Sequence, residues 1–229
     1  MPHTGGGERK RMLQLVIGNK NYSTWSLRPW LLLSGFDIAF SEISLSLKHD
    51  GLKARFKQYS DSAKVPVLID GKLTVWDSLA ICEYVSERYL SGQGWPFEVT
   101  KRALARAVVA EMHSGFTALR SEMPMNCKAA RKVTPSEAAR ADIARIDQIW
   151  STYAEPDGAG HLRLFGRFGI ADCFFAPVVM RFMTYGTALS SPARAYADSI
   201  RQIPALQKWV AAAYRETEVI PEDEAGTPV

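Results

Sequence analysis

The chain has 229 residues, of which 47% are hydrophobic, and it carries a formal net charge of +4. This apolar share supports a proper core, while the basic residues are scattered rather than grouped in the aromatic-interleaved stripe that nucleic-acid binding usually requires. No apolar run approaches the roughly 18 residues that cross a bilayer, and the first residues lack the apolar segment of a signal peptide. We therefore expect a cytoplasmic protein that binds neither nucleic acid nor membrane.

Three cysteines, Cys82, Cys127 and Cys173, are odd in number and widely spaced. They form neither a metal-binding pattern nor a disulfide framework, which favours a reducing compartment. Small buried thiols are the simpler interpretation, so neither a metal site nor a reactive cysteine is predicted.

In chain order, residues 1–11 are polar and Gly-rich and are predicted to form a disordered extension. Residues 12–18 have the apolar composition of a buried strand. A helix is predicted over 25–35, and a strand over 38–47, where apolar residues alternate. The polar residues 52–59 have weak helical character.

Residues 65–69 and 73–76 flank an Asp-Gly turn and predict a β-hairpin. Asp77 stands where it can cap a helix over 78–89. The first third of the chain therefore has the order βαβ followed by ββα. The pattern breaks at the Gly- and Pro-containing residues 91–96, where we place the domain boundary.

The rest of the chain is predicted to be helical. Residues 134–137, Thr-Pro-Ser-Glu, have the pattern of a capping box with proline at the first helical position. Residues 170–185 are apolar almost all round, which indicates the central helix of a bundle. Two further helices are predicted to begin near Pro192 and Pro204.

Val65-Pro66 opens the hairpin with a proline, which removes a hydrogen-bond donor from the ladder. A cis peptide here would turn the backbone of Val65 outward to pair with an extended ligand. The alternative is an ordinary trans proline at a strand start. The sequence alone favours trans, because only about 5–6% of such bonds are cis.

Asp77-Ser78 lies at a helix N-terminus that follows a strand, with free N–H groups and the positive end of a dipole. These groups and the serine hydroxyl suit a carboxylate, while the aspartate suits an ammonium group. The pair would hold both charged groups of an amino-acid head. The alternative is simple capping by Asp77.

Ser23-Thr24-Trp25-Ser26 occupies the first strand-to-helix turn, where a helix N-terminus also stabilises a thiolate. The turn has no Cys-x-x-Cys pair, which excludes dithiol redox chemistry there. Ser23 or Thr24 can contribute a hydroxyl to such a site, or can simply cap the helix.

Together, these three features resemble the glutathione transferase family, and the resemblance covers residues 12–216. Its most specific segments are residues 23–28, 64–66, 77–84 and 169–172.

Within the family, Ser23, Ser26 and Arg28 resemble the serine motif of the zeta-like and theta-like bacterial members. Tyr22 is a rival, because the tyrosine-type classes place their tyrosine at the end of the first strand. Pro29-Trp30 replaces the usual Val-Arg, which leaves the subclass open more than the fold.

The family's capping box in the core helix is only half present. Asp172 matches its acid, but Gly169 stands where Ser or Thr is usual. Glycine is still an acceptable N-cap, at a cost of roughly a few tenths of a kcal/mol.

The resemblance implies an α/β plus all-α fold. A thioredoxin-like N-terminal domain (βαβαββα) over 12–90 would be joined by a linker over 91–99 to a C-terminal helical bundle over 100–229. It also implies a homodimer formed through the helices that begin near Ser78 and Thr100.

The resemblance further implies that glutathione, the co-substrate, lies extended across the first domain. Val65 would pair with its cysteinyl backbone, which makes a cis Pro66 the favoured interpretation. Ser78 would bind the γ-glutamyl carboxylate, Asp77 the ammonium group and Lys64 the glycyl carboxylate. A solvated surface position is preferred for Lys53, Lys57 and Gln58.

Ser23 would donate a hydrogen bond to the thiolate, without a general base or a metal, for attack on a hydrophobic electrophile in a detoxification reaction. The electrophile would lie between the domains, in a pocket lined by Trp25, Met112, His113, Phe116 and Met180. Bundle core is the alternative for these side chains, and a structural role is preferred for His113.

The alternative functions are a glutathione-dependent isomerase of the maleylacetoacetate type and a non-catalytic glutathione-binding module.

Overall fold

A computed structural model describes residues 12–48 and 51–229. The predicted disordered extension, residues 1–11, lies outside the described residues. The N-terminal part consists, in order, of β1 Leu13–Ile17, α1 Thr24–Gly35, β2 Phe40–Ser44, α2 Leu52–Lys57, β3 Val67–Asp70, β4 Leu73–Trp76 and α3 Ser78–Leu90.

The four strands form one sheet in the order β2-β1-β3-β4. Strand β1 is parallel to β2 and antiparallel to β3, and β3 pairs with β4 as the predicted hairpin. Leu15 of β1 lies opposite Leu68 of β3, and both are fully buried in the core. This arrangement confirms the predicted thioredoxin-like fold.

The C-terminal part is mainly helical. Its helices are α4 Val99–Ser114, α5 Thr117–Glu122, α6 Glu137–Tyr153, α7 Ile170–Thr184, α8 Ser191–Arg201 and α9 Pro204–Arg215. Helix α7 is buried along nearly its whole length, as predicted for the central helix, and it packs against α1, α4 and α8. Because α7 contacts α1, the two parts share one hydrophobic core, and residues of both can meet in one cleft.

Two small antiparallel sheets interrupt this helical part, so the prediction that all of it is helical was wrong. The strands are β5 Arg131–Lys132, β6 Ala154–Pro156, β7 Leu162–Leu164 and β8 Thr227–Pro228, with β5 paired to β8 and β6 to β7. The Asp157-Gly158 turn closes the second sheet. In the first, the guanidinium group of Arg131 donates to the carbonyl oxygens of Glu224, Ala225 and Gly226 and holds the tail in place.

Helix α6 begins later than the predicted capping box. Ser136 is the N-cap, and its Oγ accepts a hydrogen bond from the Ala139 N–H at 3.1 Å. Pro135 therefore precedes the helix instead of occupying its first position. The carboxylate of Glu122, at the end of α5, accepts from both the N–H and the hydroxyl of Ser136 and fixes the start there.

Gly169 is the N-cap of α7, and its N–H donates to Asp172 Oδ2 at 3.1 Å. The other oxygen, Oδ1, accepts from the Leu164 N–H at 2.9 Å and the Tyr196 hydroxyl at 3.1 Å. A Cβ at position 169 would lie 2.7 Å from the carbonyl oxygen of Gly94. This close approach explains why glycine stands at a position where the family usually has Ser or Thr.

All three cysteines are buried, as predicted. Burial raises the pKa of the Cys127 thiol to about 12. Within residues 12–48 and 51–229, no group of three or more His, Cys, Asp or Glu side chains is placed to hold a metal ion. In the same residues, no helix has the length and apolar character needed to cross a membrane.

Candidate active site

A cleft of about 850 Å³ lies between the sheet domain and the helical part. This volume is within the range of about 300–1,000 Å³ that small-molecule sites usually have. Ser23, Lys64, Val65, Asp77 and Ser78 all line it, so the structure brings together the residues predicted for catalysis and for co-substrate binding.

Ser23 is the residue directly before α1, and it lies at the positive end of that helix. Its hydroxyl donates to Ser26 Oγ at 2.8 Å, and Ser26 Oγ also accepts from the Gly18 N–H at 3.1 Å. Since either serine hydroxyl can act as donor or acceptor, these groups form a short chain that can point a proton into the cleft. A hydroxyl and a helix N-terminus at one point can stabilise an anion.

Tyr22 and Thr24 flank this serine and also line the cleft. The Tyr22 hydroxyl donates to Glu224 Oε1 at 2.5 Å, and burial, together with that bond, raises its pKa to about 12. The phenol is therefore already engaged with a carboxylate. Among the described residues of the C-terminal tail, none hydrogen-bonds to the side-chain hydroxyls of Ser23 and Thr24.

Asp77 performs the capping role that was considered for it. It is the N-cap of α3, and its Oδ1 accepts from the Leu79 N–H at 2.8 Å and the Ala80 N–H at 3.4 Å. Its Oδ2 lies 3.3 Å from Nε2 of His113. Its φ of 73° lies in a region that side chains rarely adopt and that is concentrated at functional sites.

Arg28 lies behind Ser78 and is only 1% exposed. Its Nη1 donates to Ser78 Oγ at 3.3 Å, and its guanidinium group is stacked between Trp25 and Phe174, with Cζ 4.2 and 4.4 Å from the ring centroids. Burial and then repulsion from Arg120 lower its pKa to about 9, which leaves it charged at neutral pH. This buried cation makes the Ser78 end of the cleft favourable for a carboxylate.

The Val65-Pro66 peptide bond is cis. Among the described residues, none accepts from or donates to the backbone of Val65, which lines the cleft and can pair with an extended ligand. Lys64 is exposed at the rim of the same cleft. The exposed side chains of Lys53, Lys57 and Gln58 do not line it.

Only some of the residues predicted for the electrophile pocket line the cleft. Trp25 lines the cleft, but Met112 and Phe116 are buried in the core and do not line it. Met112 lies on the buried face of α4, and Phe116 is in the turn that follows that helix. Met180 lines a separate cavity of about 430 Å³ with Cys127 and Leu206.

His113 packs its ring edge against Trp25, with the centroids 5.4 Å apart, and contacts Asp77. It therefore lies at the end of the site that Asp77 and Ser78 form. Burial lowers the pKa of its imidazole, so the ring is neutral at neutral pH.

Three charged residues that the sequence analysis missed also line the cleft: Arg120, Arg181 and Asp223. Arg181 had a detectable signal, because it is a lone arginine in the apolar run of α7. Arg120 lies in a polar stretch and Asp223 in a tail without a predicted element, so neither pattern distinguished them from surface charges.

The C-terminal tail holds the turn that carries Ser23. Glu216 Oε1 accepts from the Lys20 N–H at 2.7 Å, and Glu216 Oε2 accepts from the Asn21 N–H at 2.9 Å. Glu218 accepts from Asn19 Nδ2 at 2.7 Å. These carboxylates complete the hydrogen bonding of the loop between β1 and α1, so the geometry of the turn depends on residues far away in the sequence.

Comparison with known proteins agrees with the fold. Residues 22–88 match the family "Glutathione S-transferase, N-terminal domain". Glutathione S-transferase 1 of Dianthus caryophyllus is 26% identical over 75% of this chain and 78% of its own length. A probable maleylacetoacetate isomerase of Caenorhabditis elegans is 30% identical, but over only 42% of this chain and 44% of its own.

Among solved structures, a glutathione transferase homologue from Burkholderia with bound glutathione has the same fold. It superposes with a TM-score of 0.68 over 91% of this chain and 100% of its own, at 24% sequence identity.

Proposed function

Because residues 22–88 match the N-terminal domain of glutathione S-transferases and the chain is similar to a member of that family over most of its length, we propose that it is a glutathione transferase that presents the glutathione thiolate at Ser23 to an electrophile in the cleft. The observation that carries this proposal is the convergence of Ser23, Val65, Asp77 and Ser78 on one cleft. A hydroxyl at a helix N-terminus, a free backbone just before β3 and a paired acid and hydroxyl together match the groups of one γ-glutamyl tripeptide.

In the proposed complex, the γ-glutamyl carboxylate accepts from Ser78, with the charge of Arg28 behind it, and the ammonium group pairs with Asp77. The cysteinyl backbone pairs with the open backbone of Val65. Lys64 at the rim binds the glycyl carboxylate. Each charged end of the tripeptide thus meets an opposite charge, and the sulfur is directed to the first turn.

The hydroxyl of Ser23 stabilises the thiolate. A free thiol with a pKa of about 8.5 is only a few per cent ionised at neutral pH. Lowering this pKa by roughly two units requires about 2.7 kcal/mol. One charge-assisted hydrogen bond contributes about 1.5–3 kcal/mol and a helix terminus about 0.3–1 kcal/mol more, so no general base is needed.

Ser26 supports this step. When Ser23 donates to the sulfur, the hydroxyl of Ser26 can rotate to donate to Ser23 Oγ, while Ser26 Oγ still accepts from the Gly18 N–H. A chain of aligned hydrogen bonds polarises its terminal donor and so strengthens its bond to the anion.

The test is a binding and turnover experiment on the purified protein. Isothermal titration with glutathione should show one site per chain, and a generic aryl halide should be conjugated with release of chloride. Binding without turnover would favour an isomerase or a non-catalytic module. Absence of both would overturn the proposal.

The isomerase is the second candidate, favoured by the similarity to the C. elegans protein and by the serine motif. It would use the same thiolate, but would release glutathione unchanged after adding it to a cis double bond. Isomerisation of a cis-enedione without consumption of glutathione would distinguish it from conjugation.

We also propose a homodimer through the face of β4, α3 and α4. Exposed apolar side chains lie in β4, in α4 or next to them in the sequence: Leu73, Trp76, Phe97, Val99 and Leu104. A groove of about 660 Å³ between β4 and α3 provides a matching depression. Sedimentation should show a dimer that Trp76→Glu converts to monomer.

A further inference from the structure

Arg120 of α5 and Arg181 of α7 line the cleft from the helical part. Arg120 stacks on Trp25, with Cζ 4.9 Å from the ring centroid, and its Nε donates to the Gly115 carbonyl at 2.9 Å. Arg181 is only 5% exposed, and its Nη1 donates to the carbonyl oxygens of Arg120 and Met123. Both guanidinium groups are therefore held in place by the backbone.

Each guanidinium group also has N–H donors for which no hydrogen-bond acceptor is found in residues 12–48 and 51–229. They are Nη1 of Arg120 and both Nε and Nη2 of Arg181. Both side chains line the cleft, and these atoms are not among the fully enclosed, unpaired polar atoms of the described residues, so a ligand in the cleft can accept from them. Because a buried cation is costly without an acceptor, fixed open donors of this kind indicate a site for an anion.

This wall of the cleft carries two positive side chains, Arg120 and Arg181, and one negative side chain, Asp223. Burial and then repulsion between neighbouring guanidinium groups lower the pKa of Arg28 and of Arg181. Asp223 also lines the cleft and faces Arg181, and burial raises the pKa of its carboxyl group. Asp142, which is outside the lining of the cleft, offsets part of the charge of Arg120.

We infer that the electrophilic substrate of this transferase carries a carboxylate, which Arg181 and Arg120 bind while the indole of Trp25 contacts the apolar body of the molecule. The inference rests on the proposed function and names the substrate class of the same cleft. A guanidinium group matches a carboxylate with two parallel hydrogen bonds, a geometry that an ammonium group cannot provide. Aromatic acids with a halide leaving group are the simplest members of this class.

With such a substrate, the glutathione thiolate attacks the ring carbon that carries the halide. A C–S bond forms, the C–Cl bond breaks, and chloride leaves with its electron pair. The thiol proton has already passed to solvent, so neither an oxidant nor another reactant is needed. The carboxylate takes no part in bond making and serves only to hold and orient the ring.

The test compares 4-chloro-3-nitrobenzoate with its methyl ester, which has the same leaving group and no charge. For each compound, kcat/KM is divided by the uncatalysed rate constant with glutathione at the same pH. We expect the normalised value to be about tenfold or more higher for the acid, the discrimination that one good charge-assisted contact provides.

Three variants locate the effect. Arg181→Met should reduce the acid-to-ester ratio about tenfold, and Asp223→Asn, which removes the competing carboxylate without breaking a side-chain hydrogen bond, should increase it. Arg215→Met is the matched control, because Arg215 is exposed on α9 and does not line the cleft, and its ratio should equal that of the unmodified protein. Circular dichroism checks that each variant is folded.

If Arg181→Met does not fold, Asp223→Asn alone decides, and an unchanged ratio in it overturns the inference. Turnover of the ester with no preference for the acid also overturns the inference, while leaving the transferase proposal intact. If glutathione is not bound and neither compound reacts, the proposed function fails and this inference fails with it.

Discussion

Nη1 of Arg28 donates to Oγ of Ser78 across 3.3 Å, from a guanidinium group stacked between Trp25 and Phe174. The bond joins α1 to the first residue of α3 and places a buried positive charge behind a hydroxyl that faces the cleft. In the proposed complex, Arg28 is therefore a positioning residue, which acts on glutathione through Ser78.

Arg28→Met should weaken glutathione binding about tenfold, because one charge-assisted contact near the carboxylate is lost. Ser78→Ala should have an effect of similar size. The two changes should not add, since Arg28 acts through Ser78. Isothermal titration of both single variants and the double variant measures this coupling. Fully additive losses would show that Arg28 acts independently, and Arg28→Lys should restore part of the affinity.

Ser23→Ala should raise the pKa of bound glutathione by about one to two units, because a charge-assisted hydrogen bond of about 1.5–3 kcal/mol is removed. Turnover at neutral pH should fall by about tenfold or more, and should recover at alkaline pH as the thiol ionises without help. The pH dependence of kcat/KM with an aryl halide shows both effects. Ser26→Ala should shift the same profile by a smaller amount.

Tyr22→Phe is the matched comparison for the first turn. The Tyr22 hydroxyl is bonded to Glu224 and its pKa is raised to about 12, so we expect its loss to leave the pH profile in place. The variant should instead lose about 1 kcal/mol of stability with the hydrogen bond. A larger change in turnover for Tyr22→Phe than for Ser23→Ala would assign the thiolate contact to the tyrosine.

His113 should make glutathione binding pH-dependent on the acid side. Burial lowers the pKa of its imidazole, so the ring is neutral at neutral pH and becomes charged only when the pH falls below that lowered value. A charged ring 3.3 Å from Asp77 Oδ2 competes with the glutathione ammonium group, so affinity should fall as the pH falls. In His113→Asn this loss should be absent. Titration calorimetry between about pH 5 and pH 8, the range in which histidine titrates, measures it.

Asp172→Ala should destabilise the fold by about 3 kcal/mol or more, because it removes the acceptor of three hydrogen bonds and each buried donor left unpaired costs about 1–3 kcal/mol. The donors are the N–H groups of Leu164 and Gly169 and the hydroxyl of Tyr196. Asp172→Asn keeps one acceptor oxygen and should lose less. Urea denaturation followed by circular dichroism gives both values, and equal stability of Asp172→Ala and the unmodified protein would contradict the prediction.

Most of the fold could be predicted because local signals agree with it. The Asp-Gly turn of the hairpin, Asp77 before α3 and the apolar run of α7 each indicate one element by a short pattern. The sheet of β5 and β8 could not be predicted, because these strands pair across almost a hundred residues and neither two-residue strand has a period of its own. Non-local pairing of this kind leaves no mark in a local window.

The location of the candidate site could be predicted in part, because Ser23, Val65 and Ser78 line one cleft. Ser23, Val65 and Ser78 are marked by the turn, the proline and the helix start that carry them. The walls of the cleft were harder to predict, because Met112 and Phe116 have the same apolar character whether they face the core or a ligand. Which of these two surfaces a side chain covers depends on helix packing, which periodicity alone does not give.

The loop that carries Ser23 is synthesised early, but the C-terminal residues that hydrogen-bond to it are synthesised last. Lys20 leaves the ribosome 196 residues ahead of the glutamate that accepts from its N–H. A nascent chain can thus assemble its sheet early and yet lack the contacts that hold the proposed thiolate-binding loop. An excised sheet domain should likewise lack a fixed Ser23, so we expect the proposed activity to require both parts of the chain.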